Sequence, residues 1–195
     1  MRIIAGTAGR IAIKVPSAVT RPTTDFVRQA LFSILGERVA QAKVLDLFAG
    51  SGALGLEALS RGAQHCTFVD EHRQAATVIQ ANLLRARLTT GQAIKSDVTQ
   101  FLAKDMSTYD LIFADPPYWK YHGDKDHLGE LFKNSLLTPR LRPGGWLVIE
   151  ISSHQASPEV EEFILVTRRD YGSSAILIYA KNLSNAEAHL NLDHS

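Results

Sequence analysis

From Val44 onward the chain repeats one pattern: a short apolar or β-branched run, a polar break, then a stretch with helical periodicity. Val44-Leu45-Asp46-Leu47-Phe48 reads as a strand that runs at once into glycine-rich sequence and the helix Leu54-Gly55-Leu56-Glu57-Ala58-Leu59, closed by Gly62. Thr67-Phe68-Val69-Asp70 is the next strand. Between Glu71 and Leu88, Ala75, Val78, Ile79, Leu83 and Ala86 recur at spacings of three and four, one helical face. The alternation continues with a strand from Ala93 to Asp97, a helix from Thr99 to Ala103 and a strand from Tyr109 to Asp115. A helix about Leu128 to Leu137 and a strand from Trp146 to Ile151 complete it. Parallel neighbours need crossover connections, and right-handed crossovers place helices on both faces. Five strands in this pattern therefore predict an α/β fold, a Rossmann-like doubly wound sheet that is mostly parallel.

The flanks differ from this core. Phe163 to Thr167 and Ser174 to Tyr179 are separated by too few residues for a helical crossover, so they predict an antiparallel pair at the C-terminal edge of the sheet. At the other end, Arg2-Ile3-Ile4 and Arg10 to Val15 flank Ala5-Gly6-Thr7-Ala8-Gly9, the pattern of a β-hairpin. A helix follows Pro16 to Pro22, with Thr24 as N-cap and Phe26, Val27, Ala30, Leu31, Ile34 and Leu35 on its apolar side. The 195 residues read as a single domain: hairpin and helix in 1–43, core in 44–181, polar tail in 182–195.

Composition narrows the class of function. Hydrophobic residues are 45% and charged residues 21%, enough to bury a core. No stretch approaches the ~18 apolar residues of a membrane span, so the expectation is a cytoplasmic protein. Cys66 is the single cysteine, which excludes an internal disulfide and a cysteine-cluster zinc site. The seven histidines show no ligand spacing with carboxylates, so no metal is expected. Charge is uneven: residues 1–43 carry seven basic and two acidic side chains, a local +5, leaving 14 basic and 18 acidic, or −4, for the rest. A basic end on a mildly acidic domain suits a polyanionic partner.

Gly50-Ser51-Gly52-Ala53-Leu54-Gly55 fits G-x-G-x-x-G between a strand and a helix. Asp70, 20 residues beyond Gly50 at the end of the second strand, is placed to hydrogen-bond ribose hydroxyls of an adenosine cofactor. Asp46, four residues before Gly50, would repel a pyrophosphate at this helix start but tolerates the sulfonium and ammonium of S-adenosyl-L-methionine. It serves equally as a buried carboxylate that organises the loop. Asp97 either accepts from the adenine amino group or N-caps Asp97-Val98-Thr99-Gln100, a D-x-x-Q box. Phe48, Ala49 and Ser51 of the loop, with Glu71 and Val98 after the second and third acids, complete the cofactor-lining candidates.

Asp115-Pro116-Pro117-Tyr118 follows the fourth strand, at the edge where ligands of open α/β sheets bind. An exocyclic amine on a base is a poor nucleophile because its lone pair is delocalised into the ring. The Asp115 carboxylate and the Pro116 carbonyl, stiffened by consecutive prolines, can each take one amino hydrogen and turn the lone pair toward a methyl donor. Tyr118 offers a ring on which the base can stack, worth ~1–3 kcal/mol.

Taken together, these residues resemble the RsmD-type family of 16S ribosomal RNA guanine-N2 methyltransferases over nearly the whole chain. The resemblance rests on Arg21-Pro22-Thr23-Thr24-Asp25, Arg28 and Leu31-Phe32, on Asp46 through Ala58, and on Asp115-Pro116-Pro117-Tyr118. It implies a class I methyltransferase that uses S-adenosyl-L-methionine on one guanine of 16S rRNA, in the small ribosomal subunit or its assembly intermediate; a monomer is expected, although no residue pattern bears on it. It also carries Thr23, Thr24, Asp25 and Arg28 over as contacts, although capping and surface charge would use the same residues. Arg2, Arg10, Lys14, Arg21, Arg28, Lys120 and Tyr121 are the candidate RNA-binding residues.

Other functions fit less well. A DNA adenine-N6 or cytosine-N4 methyltransferase needs a recognition domain for which the chain has no room. Protein-glutamine methylation expects Asn rather than Asp at position 115. Tyr121-His122-Gly123-Asp124-Lys125 fits the Y-x-x-x-K of short-chain oxidoreductases, but Gly123 and Asp124 disfavour the helix that pairing needs. A non-catalytic RNA-binding assembly factor would have no use for the intact tetrapeptide.

Overall fold

The computed structural model describes residues 1–16, 24–117, 126–133 and 136–183. Arg21, Thr23, Tyr118, Lys120, Tyr121, the Tyr121–Lys125 motif and most of the polar tail lie outside the described residues. Among the described residues the helices are α1 (Asp25–Leu35), α2 (Ala53–Ser60), α3 (Arg73–Ala86), α4 (Val98–Lys104) and α5 (His127–Lys133). The strands are β1 (Lys43–Leu47), β2 (His65–Asp70), β3 (Gly91–Lys95), β4 (Tyr109–Ala114), β5 (Leu141–Ser152), β6 (Phe163–Tyr171) and β7 (Ser174–Lys181). They form one sheet in the order β3-β2-β1-β4-β5-β7-β6. The first five are parallel, while β7 runs antiparallel between β5 and β6. The C-terminal pair is thus where the periodicity put it, with β7 internal and β6 alone at the edge. Strand β6 runs on to Tyr171 because Gly172, at φ +62°, lets the chain reverse tightly through Gly172-Ser173, and β7 runs on to Lys181 where it pairs with Phe163.

Strand alternation sorts the core into two layers. Val44, Phe68, Leu111, Phe113, Val148, Ile176 and Ile178 face α1, α2, α3 and the N-terminal segment. Leu45, Leu47, Val69, Ile112, Ile149 and Leu177 face α4 and α5. Near-continuous apolar strands are what a sheet covered on both faces requires. Cys66 is one of these core residues.

The N-terminal segment forms the expected antiparallel pairing in short form, with Ile13 N–H donating to the Met1 carbonyl at 3.1 Å. Its arms share a single bridge, Arg2 to Ala12, with Ile3 N–H donating to the Ile11 carbonyl at 3.0 Å and Arg10 N–H to that of Ile3 at 2.8 Å. No ladder extends from it because other backbone groups bond to α2. Ile4 and Ala5 N–H donate to the Glu57 carboxylate at 2.7 and 3.1 Å, Thr7 N–H to the Ser60 carbonyl and Ala8 N–H to Ser60 Oγ.

Helix α1 is also rotated from the expected face. Thr24 caps it as predicted, accepting from Val27 N–H at 3.3 Å. Val27, Leu31, Phe32 and Leu35 are buried, but Phe26 is 70% exposed and Arg28 takes an inward position. The inward face can hold an arginine because backbone and carboxylate partners meet it there. Arg28 Nη2 donates to the Arg2 carbonyl at 2.6 Å and to Asp25 Oδ1 at 2.7 Å.

Candidate active site at the carboxyl edge of the sheet

Four parallel strands end in the acids singled out from sequence, or in the loop that follows them. Strand β1 leads into a reversal with left-handed backbone at Phe48, Gly50 and Gly52, φ +56°, +53° and +76°. This brings the chain round so that Asp46 Oδ2 accepts Gly55 N–H from the first turn of α2 at 2.9 Å. Asp70, from the end of β2, accepts Gly50 N–H on Oδ2 at 2.9 Å and His72 N–H on Oδ1 at 2.8 Å. Both acids therefore brace the glycine loop. Helix α2 lies close on β2 because position 55 has no side chain: a Cβ there would sit 2.3 Å from Phe68 Cε1 and 2.6 Å from Cys66 Sγ.

Asp46 is buried among apolar strands, and burial pushes its carboxyl up to about 8; the Gly55 N–H opposes this and the Asp70 charge adds to it. Asp97 caps α4, its Oδ1 accepting Gln100 N–H at 2.9 Å and Thr99 Oγ1–H at 2.5 Å, which is the N-cap half of the D-x-x-Q box. Val98 is buried behind it and Glu71 is exposed at the end of β2. Phe48 meets His127 of α5 edge-on at 5.5 Å, which ties the loop to the helix after β4.

Asp115 continues β4 past Ala114, its N–H donating to the Leu47 carbonyl of β1 at 3.5 Å. The tetrapeptide thus starts beside the glycine loop. Pro116 is buried and Pro117 exposed, and both border a cavity of about 20 Å³ with His127, Leu128, Glu150 and Ile151. Asp46, Gly50 to Gly55, Asp70, Asp97 and Asp115 all lie at this one edge of the sheet.

The expected RNA-facing cations divide. Arg2, Arg10 and Lys14 are exposed. Arg28 is not: its guanidinium is fully enclosed, paired with Asp25, and burial lowers its pKa. The assignment of Arg28 to RNA is corrected accordingly, since its charge is used to hold α1 against the N-terminal segment.

Three polar residues went unrecognised as site builders. Glu57, Ser60 and Asn82 are buried on α2 and α3. Asn82 Oδ1 accepts Lys14 N–H at 2.8 Å, while its Nδ2 donates to the carbonyls of Lys14 at 2.9 Å and of Ser51 at 3.0 Å. One side chain thus joins the N-terminal segment to the glycine loop. The signal was in the sequence: Asn82 falls three residues after Ile79, on the apolar face of its helix, and Glu57 interrupts the apolar run of α2.

These residues suit an adenosine cofactor bearing cations rather than phosphates. Asp70 lies at the strand end, and a carboxylate has more acceptor sites than its contacts with Gly50 N–H, His72 N–H and the His72 ring use. The raised Asp46 carboxyl ties the site to cations through its proton, because a cation bound at the loop favours its ionised form and an added anion opposes it. Among the described residues no group of His, Cys, Asp or Glu is placed to hold a metal ion, and no helix is long and apolar enough to cross a membrane.

A mostly parallel seven-stranded sheet ending in an antiparallel pair, with a braced glycine loop after β1 and Asp-Pro-Pro after β4, defines a class I methyltransferase, whose cofactor is S-adenosyl-L-methionine. The family described as Conserved hypothetical protein 95 matches residues 1–180. A Bacillus subtilis protein, YlbH, named as a candidate rRNA methyltransferase, is 36% identical over 192 residues, 93% of this chain and 99% of that one. The Escherichia coli ribosomal RNA small subunit methyltransferase D is 40% identical over 119 residues, 60% of each chain. The solved structure of Escherichia coli yhhF, named as a candidate methyltransferase, superposes with a TM-score of 0.82 at 31% identity, covering 93% of this chain and 98% of that one. The chain belongs to this RsmD-type methyltransferase family.

Proposed function

We propose that this chain methylates the exocyclic N2 amine of one guanine in 16S rRNA, within the small ribosomal subunit or its assembly intermediate. The observation that carries the reading is Asp115-Pro116-Pro117 at the end of β4, hydrogen-bonded to β1 beside the braced glycine loop. The names of the relatives supply the RNA and the small subunit. S-adenosyl-L-methionine, when bound, supplies an electrophilic methyl group.

The chain's own residues prepare the nucleophile. The Asp115 carboxylate and Pro116 carbonyl accept the two amino hydrogens, and those bonds strengthen as positive charge grows on nitrogen. Asp70 and Asp97 hold the nucleoside of the cofactor, with Phe48, Ala49, Ser51, Glu71, Val98, Thr23 and Thr24 around it. Tyr118 stacks on the target base, which leaves its helix to reach the site. Arg2, Arg10, Lys14, Arg21, Lys120 and Tyr121 meet the RNA.

The test is incubation with isotopically labelled S-adenosyl-L-methionine and, in parallel, unmodified small subunits, naked small-subunit RNA and genomic DNA, followed by mass spectrometry of the nucleosides. Label in N2-methylguanosine from subunits or RNA is the expected result. Label confined to DNA, or absent throughout, overturns the reading.

A further inference from the structure

Phe26 is the large aromatic side chain that the fold does not absorb. It stands 70% exposed in the first turn of α1 and meets Tyr171 edge-on, ring centroids 6.0 Å apart at 80°. Tyr171 ends β6 and is half-buried against the core layer under α1. The register places this pair at the carboxyl edge. Tyr171 lies opposite Ser174 of β7, and Ser174 lies opposite Ser152 of β5. Ile151, just before Ser152, lines the cavity behind Pro116 and Pro117. The aromatic pair is thus two strand spacings along the edge from β5, ~10 Å.

Exposed cations flank the pair. Arg2 reaches Asp25, the neighbour of Phe26, with Nε 3.6 Å from Oδ2, and its side chain remains 66% exposed. Arg169 lies two residues before Tyr171, hence on the same face of β6, and is exposed. The other exposed large apolar residues among those described lie elsewhere. Ile164, Leu165 and Val166 are at the opposite end of β6, Leu84 on α3, Met106 after α4 and Leu183 after β7. An isolated ring between arginines lacks the contiguous apolar area of a protein-docking patch. It has the two parts that single-stranded nucleic acid needs, a π face for a base and cations for the phosphates on either side.

We infer that Phe26, backed by Tyr171, is a stacking platform for an unpaired base of the RNA substrate, with Arg2 and Arg169 holding the adjoining phosphates. This rests on the reading of RNA as substrate and adds a contact that the tetrapeptide does not provide. A base stacked here fixes the strand on one side of the target, so Phe26 contributes to which nucleotide reaches Asp115.

The test uses the full chain and two short labelled RNAs, an oligoadenylate and an abasic strand with the same number of phosphates, followed by fluorescence anisotropy at one salt concentration. Binding of S-adenosylhomocysteine is measured alongside by calorimetry. Phe26→Ala is expected to weaken the oligoadenylate on the order of tenfold while leaving the abasic strand and S-adenosylhomocysteine unchanged. Phe26→Trp restores oligoadenylate binding, and Arg169→Gln weakens both strands alike. Because the Phe26 ring is at the surface, its truncation leaves the core in place. Equal oligoadenylate binding by wild type and Phe26→Ala, parallel loss of both strands, or no recovery in Phe26→Trp overturns the platform. Methyl transfer to small-subunit RNA is scored separately. If wild type transfers none but discriminates the two strands through Phe26, the platform stands and the assigned reaction falls.

Discussion

Asp46 is held in conflict by its surroundings. Its carboxylate is the acceptor that closes the glycine loop onto Gly55, yet it is buried and beside Asp70, so its carboxyl titrates near 8 rather than near 3.8. Between those two values the folded protein keeps a proton that the unfolded chain has lost, so stability is greatest at the acid end and falls as pH rises through the window. At about 1.4 kcal/mol per pK unit, the shift from 3.8 to about 8 sets an upper bound on the order of 6 kcal/mol for the trend. The unliganded protein should therefore melt at progressively lower temperature from pH 5 to 8 beyond what its other groups impose. In Asp46→Asn, which keeps a carbonyl acceptor for Gly55 without the charge, that part of the slope disappears. Thermal melts across the range decide it, and parallel slopes in the two proteins would show that Asp46 is ionised throughout. Asp115 gives a different signature. In Asp115→Ala, RNA-dependent methyl transfer should drop by about 10²-fold or more while S-adenosylhomocysteine binds as in wild type, because the lost acceptor acts on the amine rather than on the cofactor. Survival of transfer in that variant would remove the role assigned to the carboxylate.

Among the elements, α2 and α3 carry more than packing. Removing Asn82 would leave Lys14 N–H and the Lys14 and Ser51 carbonyls without their partner. At ~1–3 kcal/mol for an unsatisfied buried group, Asn82→Ala should lose about 2–4 kcal/mol in denaturant unfolding. It should also bind S-adenosylhomocysteine more weakly, whereas Ser60→Ala loosens the same segment at α2 without touching the loop. Equal cofactor affinity in the two variants would mean that Asn82 supports the fold alone. These elements also show what sequence can and cannot convey. Periodicity located the strands of the sheet, the central ones because a strand covered on both faces must be apolar nearly throughout, as Leu111 to Ala114 is, and the edge strands β3 and β6 by their place in the alternation. Periodicity failed at α1, where Phe26 and Arg28 exchange the places that hydrophobicity assigns them. The partners that admit Arg28 to the interior are the Arg2 carbonyl, 26 residues away, and the Asp25 carboxylate, and only the folded chain brings the first of these near. The N-terminal arms pair antiparallel as expected but stay short for a similar reason, since Glu57 and Ser60 take the backbone of Ile4, Ala5 and Ala8 from more than 50 residues away.

At the scale of the whole molecule, the basic N-terminal region proves to be two groups of charge rather than one. Lys14 is held by Asn82 beside Ser51 of the glycine loop, and Arg2 follows Met1, whose Sδ lies 3.8 Å from Ser51 Oγ, and reaches Asp25 at the start of α1, so both stand at the carboxyl edge. Arg38 and Lys43 belong to the opposite edge. The Arg38 guanidinium lies 4.0 Å over the Trp146 ring, and Lys43 begins β1, its N–H bonded to Asp110. A polyanion bound across the carboxyl edge meets the first group and not the second. Each phosphate neutralised releases counterions, so the slope of log affinity against log salt counts the cations engaged, at ~0.7–0.9 per contact. Replacing Arg2 and Lys14 by Gln should therefore flatten that slope for small-subunit RNA by about 1.5. Replacing Arg38 and Lys43 should leave it unchanged, and neither pair should alter S-adenosylhomocysteine binding. If the second pair flattens the slope as much as the first, the RNA wraps past the carboxyl edge and the substrate surface is larger than the cofactor face. If neither does, the charge asymmetry of the chain is a feature of its solubility rather than of its recognition.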